Sequence, residues 1–453
     1  MAGSLSVNDG EPVFLFDMKW LLRSAGVLLA LVAILALVPF FIVVDDYNPT
    51  LEEELAARLG QSVSIDDLDV SLLPLPRIVA RGIAIGSAGE TKVGRVVLRP
   101  DLWSLAGSNK TLRSIDFEDV TLPHKALGAL VKLTRRDADS SGLRIEKTRL
   151  KNAVIRLERG QFGPFDAEVT SSAGGGGAVS LATADGRFKA RVKPEGESYA
   201  LEISAKSWIL PVGPAVRFDE LEIKGMVSGD GAQLDRITGR LYGGTLNGSA
   251  SVSLAKVITV KGGLELKQIA LKEAAALFSK KTRVSGSLDA KPVFNAVASN
   301  ASALDEALRI ETPFTVHNGV LHGLDLAAAG VLLNRGEETG ETRFDELAGR
   351  LVAERRAYRF TQLRIASGSL SAKGNVTVTQ GKALSGELTT TVKGTGTGIP
   401  LIVAGTLDTP LLYPNPKALI GAAAGTAVLG PGLGTAAGAK LGELVEDLLG
   451  KKK

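Results

Sequence analysis

Beyond residue 60, apolar and polar side chains alternate along the chain with a period of two, and this alternation limits the possible folds more than any other feature of the sequence. Because successive side chains of a β-strand point to opposite faces, each alternating segment forms a strand with one apolar and one charged face. The clearest segments are Ile115-Asp116-Phe117-Glu118, Ile155-Arg156-Leu157-Glu158, Leu201-Glu202-Ile203-Ser204, Leu221-Glu222-Ile223-Lys224 and Leu264-Glu265-Leu266-Lys267. The sequence therefore predicts a mainly β protein whose sheet is dry on one face and wet on the other.

Helical patterns are few by comparison. The candidates are residues 125–133, residues 271–279 and a Gly/Ala-rich C-terminal tail. A doubly wound α/β fold requires a helix after nearly every strand, and this chain does not supply them. We therefore expect a mostly antiparallel sheet with few short helices.

One stretch near the N-terminus has the composition of a membrane span. Residues 24–44 contain no charge, and a helix of that length reaches about 30 Å, the thickness of a bilayer core. Residues 39–44 read PFFIVV instead of the small residues of a signal-peptidase site, which favours an uncleaved anchor. Lys19 and Arg23 precede the stretch, and Asp45 and Asp46 follow it. The positive-inside rule then places the N-terminus in the cytoplasm and the bulk of the chain beyond the membrane.

Composition excludes several classes of function. The net charge is only +4 over 453 residues, and basic residues are interspersed with acidic ones, so we expect no nucleic-acid partner. The absence of cysteine excludes thiolate metal sites and cysteine nucleophiles. The three histidines lack metal-motif spacing, and no nucleophile elbow or P-loop occurs. We therefore predict a protein that is not an enzyme, with no catalytic, cofactor-binding or metal-binding residue and no cofactor.

Several segments, in their order along the chain, resemble the AsmA family of Gram-negative envelope proteins. At the N-terminal end these are a helix ending in Leu59-Gly60, the strand Val63-Ser64-Ile65, a turn at residues 72–76 and the strand Gly82-Ile83-Ala84-Ile85-Gly86. Residues 96–105 and 112–117 are similar to the family's second and third N-terminal strands, with the short helical corner between them. In the C-terminal half, residues 314–326 and 403–410 are similar to later strands. The resemblance covers residues 20–416 in outline.

The resemblance implies an inner-membrane protein with its bulk in the periplasm, whose elongated, curled antiparallel sheet forms an apolar groove. Such a protein binds or conducts phospholipid between the inner and outer membranes and supports outer-membrane homeostasis. The partners implied are phospholipid, the inner membrane and the outer membrane or envelope proteins. The second hypothesis is an envelope scaffold that modulates outer-membrane protein assembly through protein contacts, without lipid transfer.

The uncharged stretch, the resemblance and the Gly/Ala-rich tail together divide the chain into six regions. They are a cytoplasmic tail at 1–18, the anchor at 19–44, an N-terminal β region at 45–160, a middle β region at 161–260, a C-terminal β region at 261–416 and the Gly/Ala-rich tail at 417–453.

An apolar sheet face can be hidden in three ways, and the residues alone leave all three open. A second sheet can cover it, the sheet can close into a barrel, or a ligand can fill a trough. Aromatic residues make up only 5% of the chain, so aliphatic side chains line the face, and these suit acyl chains as well as a plain core. The resemblance favours the trough. The candidate lipid-facing residues are then Ile83, Ile85, Ile115, Phe117, Ile155, Leu157, Leu201, Ile203, Leu221 and Ile223.

The C-terminal tail has a glycine pattern of its own. Glycines at four-residue spacing, Gly421 and Gly425 and then Gly430, Gly434, Gly438 and Gly442, are typical of close helix packing. The tail could cap the groove, form an interface or insert into a membrane before the final three lysines. We expect a helical hairpin broken near residues 430–432, separate from the β domain.

The orientation of the anchor is testable because the chain has no cysteine. Cysteines introduced singly at Ser6 and Ser299 should differ in intact spheroplasts, with an impermeant maleimide labelling only the Ser299→Cys protein. Both should react after detergent lysis, which controls for accessibility. Labelling of Ser6→Cys in intact spheroplasts would reverse the proposed topology.

Overall fold

The computed structural model describes the greater part of the chain, namely residues 52, 53, 56, 62–71, 75–86, 91–101, 104, 110–123, 143–157, 160–171, 177–211, 214–277, 284–300, 303–326, 340–393 and 398–415. The proposed anchor at 24–44, the helix candidate at 125–133 and the C-terminal tail lie outside these residues. Among the helices that the described residues form, none has the length and apolar character needed to cross a bilayer.

The described residues form two compact units. The first contains those up to Ala205 together with Pro211, and the second contains Lys206–Leu210 and those from Pro214 onward. This boundary falls within the middle β region expected at 161–260. The fold class predicted from the alternation, mainly β with few short helices, is confirmed.

The first unit contains nine complete strands, and a tenth strand runs from it into the second unit. They are β1 (Val63–Ser71), β2 (Arg77–Ile85), β3 (Thr91–Pro100), β4 (Lys110–Pro123), β5 (Leu143–Ile145), β6 (Lys147–Arg156), β7 (Gln161–Ser171), β8 (Gly177–Thr183), β9 (Phe188–Glu195) and β10 (Ser198–Ile209). Each alternating segment predicted in this part of the chain lies in or beside one of these strands.

Thirteen strands and two short helices follow among the described residues. They are β11 (Arg217–Ser228), β12 (Gly231–Leu241), β13 (Gly244–Leu254), β14 (Ile258–Ala270), α1 (Leu271–Ala275), β15 (Val284–Ala290), β16 (Val293–Ala298), α2 (Leu304–Ala307), β17 (Arg309–His322), β18 (Glu341–Glu354), β19 (Ala357–Ala366), β20 (Leu370–Val378), β21 (Leu384–Val392), β22 (Gly398–Gly405) and β23 (Pro410–Pro414). The helix expected at 271–279 is present in part as α1, which is shorter and ends at Ala275.

Strand pairing in the first unit is antiparallel except for two pairings of β4. Neighbours follow chain order from β1 to β4 and again from β6 to β10. Strand β4, however, pairs in parallel with both β5 and β6. The sheet of this unit is therefore mostly antiparallel, as expected, but mixed at β4. Residues 124–142 separate β4 from β5, and a connection of that length is sufficient for the crossover that a parallel pair requires.

Pairing in the second unit is antiparallel throughout the described residues. Strands β11 to β14 are successive neighbours, and the long β14 pairs with β16 near its start and with β15 near its end. Strand β17 pairs with the same two strands and with β18, after which each strand pairs with the next as far as β23.

Three β-bulges share one construction. Asn152, Gln268 and Gln362 have positive φ angles of 52°, 57° and 53°. Each donates its backbone N–H to a side-chain oxygen of the neighbouring strand, on Asp166 (2.9 Å), Asp289 (2.8 Å) and Asn375 (3.0 Å) respectively. The register shifts beside each of them. A bulge bends its strand and increases its twist, so these sites curl the sheet.

In the first unit the irregularity continues from strand to strand at one level. Gly82 and Asp119 also have positive φ angles, of 63° and 56°, and they are absent from the ladders on either side. Asn152 Nδ2 donates to Asp119 Oδ1 at 2.6 Å, which joins the irregular positions of β4 and β6. A Cβ atom added to Gly82 would lie 1.9 Å from Asp66 Oδ2 on β1. The strands of this unit therefore bend together.

Replacement of Gly82 tests this bend. Gly82→Ala should destabilise the protein through the left-handed backbone, about 1 kcal/mol, and through overpacking against Asp66, about 1–3 kcal/mol more. The matched control is Gly196→Ala, because Gly196 has φ +61° but open space at its Cβ position. Urea unfolding of both variants measures the difference. Equal losses would mean that Asp66 moves aside freely and does not constrain the bend.

Candidate functional site

The ten candidate residues separate by depth. Ile83, Ile85, Ile115, Phe117 and Ile155 are 1–5% exposed and belong to one hydrophobic core cluster of the first unit. Leu157 is half-buried against that cluster. Leu201 and Ile203 on β10 are half-buried. In the second unit Leu221 is buried and Ile223 is half-buried.

The buried candidates come together because alternate residues of adjacent strands lie opposite one another. Phe117 on β4 pairs with Val96 on β3, and Ile115 pairs with Leu98. All four side chains are at most 1% exposed. This part of the apolar face is buried as completely as a protein interior, and it is a hydrophobic core.

Strands β7 to β10 present a different surface. Their facing residues form two rows of apolar side chains across the four strands, and every member is half-buried. The rows, which we call the two-row patch, are Val169, Val179, Val192 and Leu201, and Ala167, Leu181, Ala190 and Ile203. Ala167 and Leu181 pack against the core cluster, so the patch is continuous with it.

The reverse side of the same strands is polar. Ser180 on β8 pairs with Arg191 on β9, which pairs with Glu202 on β10. Arg191 and Glu202 are exposed. The charged side chains of these strands are therefore confined to the reverse side, as the alternation predicts.

On strands β3, β4, β6 and β7 of the first unit, the polar face of the sheet carries a ladder of ion pairs. Asp116 on β4 has only 4% of its side chain exposed and lies between Arg99 on β3 and Arg149 on β6, the latter at 3.4 Å. Arg149 also contacts Glu168 on β7 at 3.2 Å. The hydrogen bond from Lys147, together with that from Arg149, lowers the pKa of Glu168. Buried Asp116 is acceptable there because two guanidinium groups compensate its charge.

Aromatic rings bound one end of the two-row patch. Phe162 lies edge-on to Phe188, with ring centroids 5.4 Å apart, and its centroid is 5.5 Å from that of Phe165. Phe188 occupies the position next to Ala190 on the same face of β9, two residues along the strand. These rings extend the apolar face beyond the aliphatic rows.

The second unit repeats the row arrangement with a more buried surface. Leu221 lies in a row with Gly239, Leu246 and Leu266, and Ile223 in a row with Ile237, Gly248 and Leu264. Leu221, Ile237 and Leu246 are 6–9% exposed. The candidate residues Leu221 and Ile223 are therefore on the apolar face that the alternation assigned to them.

The sequence identified two of the eight residues in the two-row patch. The alternation in Phe188-Lys189-Ala190-Arg191-Val192 could have added Ala190 and Val192, because it continues on the strand that precedes Leu201. The alternation in Phe165-Asp166-Ala167-Glu168-Val169 on β7 could likewise have added Ala167 and Val169. Strand β8 gave a weaker signal, since it carries uncharged residues on both faces.

The patch contains no titratable group, so its chemistry is limited to burying apolar area. Each Å² removed from water contributes about 25 cal/mol. A flexible hydrocarbon chain fits such a surface without specific polar contacts. Headgroup selectivity would have to come from elsewhere.

One hydrogen-bonded trio lies in the second unit. His322 Nδ1 is 2.9 Å from Glu341 Oε1, and its Nε2 is 3.2 Å from Ser285 Oγ. If Nδ1 carries the proton and donates to the carboxylate, Nε2 accepts from the serine hydroxyl. Hydrolase triads use this order of groups. In α/β-hydrolases the serine sits on a sharp strand-to-helix turn, whereas Ser285 lies within strand β15. We interpret the trio as a link between β15, β17 and β18.

Comparison with known proteins does not add a relative to this description. No protein-family model, no curated protein and no solved structure matches the chain. The function of the chain is therefore inferred from its sequence and from the geometry of the two units.

Proposed function

We propose that this protein binds phospholipid, with the acyl chains lying along the apolar face of its sheet. In this proposal the chain is anchored in the inner membrane, its bulk is periplasmic, and it binds or conducts phospholipid between the inner and outer membranes in support of outer-membrane homeostasis. The order of the family-like segments and the uncharged stretch at 24–44 support the cellular part of the proposal.

The two-row patch is the observation that carries the proposal. Eight apolar side chains on four adjacent strands are half-buried, while the charged side chains of the same strands lie on the reverse side. Contact of such a surface with water is unfavourable, and a bound acyl chain would remove that contact. Because the patch adjoins the core cluster, a bound acyl chain would lie beside residues that are already buried.

A protein ligand would use the same surface differently. The apolar side chains of an envelope protein could cover the patch, and the chain would then act as a scaffold without lipid transfer. The two functions differ in what is bound when the protein is isolated from cells. An experiment on the patch therefore has to identify the bound molecule.

Photo-crosslinking at adjacent residues tests the proposal. A crosslinking amino acid at Ile203, on the patch, should form phospholipid adducts in cells, whereas one at Glu202 should not, because its side chain points to the reverse face. Mass spectrometry of the adducts identifies the captured molecule. Phe117, at 1% exposure, serves as a buried reference that should capture neighbouring parts of the chain. Equal lipid capture at Ile203 and Glu202 would contradict a binding face, and protein adducts alone at Ile203 would favour the scaffold.

A charge on the patch should displace the lipid. Native mass spectrometry of purified Ile203→Glu should show at least about tenfold less bound phospholipid than the wild type, because an unpaired charge against an acyl chain is costly. Ser204→Glu places the same charge on the exposed reverse face and should retain the lipid. Protease resistance of both variants checks folding. Full lipid retention by a folded Ile203→Glu protein would rule out binding at the patch.

A further inference from the structure

The turn between β18 and β19 has an unfavourable backbone for the residues that it contains. Arg355 and Arg356 are its two central residues, and their φ angles are 50° and 60°. Two-residue hairpin turns with two positive φ angles favour asparagine and glycine, since other side chains are strained there. Strained backbone conformations of this kind cluster at functional sites, so the surroundings of the turn are a candidate for one.

Near this turn, in the part of the chain that the structure describes, two arginines form ion pairs and two others do not. Arg356 binds Asp305 at 2.7 Å, and Arg309 lies 3.5 Å from Glu354. Among the described residues, Arg355 and Arg359 have no acidic partner within ion-pair distance. The carboxylates near the turn are thus already neutralised by other arginines.

The two remaining arginines line one cavity. Its volume is about 270 Å³, and Arg355, Arg359, Glu354, Tyr358 and Thr377 contribute to its wall. Arg359 on β19 pairs with Thr377 on β20, so both side chains lie on the same side of the sheet. The cavity is smaller than the pockets that accept drug-sized ligands. A small group with several acceptor oxygens matches its size and its donors.

We propose that this cavity binds a phosphate group. Arginine guanidinium groups donate paired hydrogen bonds to phosphate oxygens, and the Thr377 hydroxyl supplies a further donor. Glu354 also faces the cavity, and Arg309 offsets its repulsion of an anion. The phosphate can be an inorganic ion or part of a lipid headgroup. The site lies in the second unit, and the inference does not depend on lipid binding at the two-row patch.

Titration with inorganic phosphate tests the site directly. Purified full-length protein in detergent should bind phosphate in isothermal calorimetry, and the double variant Arg355→Gln/Arg359→Gln should bind about tenfold more weakly or not at all. Arg364→Gln removes one charge from the same strand, outside the cavity, and should bind as the wild type does. Equal binding by the double variant and the wild type would overturn the proposal, and so would an equal loss in Arg364→Gln.

A second variant separates the ligand role of Arg355 from a structural one. Arg355→Asn places a favoured residue at the strained position, so the thermal midpoint should rise or stay constant while phosphate binding weakens. A stable Arg355→Asn protein with unchanged phosphate affinity would show that the arginine has no part in binding.

The source of the phosphate is distinguished with vesicles. If a lipid headgroup is the ligand, vesicles of phosphatidylcholine with added phosphatidic acid should bind the wild type more strongly than the double variant, and inorganic phosphate should compete. If free phosphate is the ligand, both proteins should bind the vesicles equally while only the wild type responds to inorganic phosphate. Either result supports the phosphate site. Identical behaviour of the two proteins toward both probes contradicts it.

Discussion

The curvature of each unit depends on bulges whose backbone amides are bound by a neighbouring strand. Asn152, Gln268 and Gln362 adopt a left-handed conformation, which asparagine tolerates better than glutamine. An Asp or Asn side chain on the next strand accepts the N–H that the ladder leaves unpaired. The bend is therefore maintained by a specific polar contact, on strands that also carry the apolar face. A flat sheet of the same sequence would leave that face open to water.

The strands could be predicted because the alternating pattern is local. The pairing between strands could not be predicted, because it depends on distant parts of the chain. The segment Ile115-Asp116-Phe117-Glu118 has the period of a strand in isolation, and it lies in β4. Nothing in its pattern distinguishes an antiparallel partner from the parallel β6, which approaches only after a long connection. The bulges were equally hidden, since asparagine and glutamine at positive φ depend on an acceptor that lies elsewhere in the chain.

The candidate site shows the same division between face and depth. Leu201-Glu202-Ile203-Ser204 and Ile115-Asp116-Phe117-Glu118 have equivalent alternation, and each places its apolar residues on the apolar face. Phe117 is nevertheless 1% exposed, while Ile203 is half-buried. Alternation specifies which way a side chain points, but exposure depends on how many layers of neighbours the fold brings over it. The two-row patch could therefore be recognised only in three dimensions.

The ladder of ion pairs on the wet face has a consequence for assembly of the sheet. Its charges alternate in sign from strand to strand, with Arg99 on β3, Asp116 on β4, Arg149 on β6 and Glu168 on β7. Lys147, Arg149 and Lys151 repeat one sign along β6, so a slip of two residues would still meet opposite charges. The ladder thus favours pairing between particular strands but does not fix the register between them. The bulges fix the register. The choice of neighbouring strand and the register between strands therefore depend on different residues. A substitution can disturb one of them and leave the other intact.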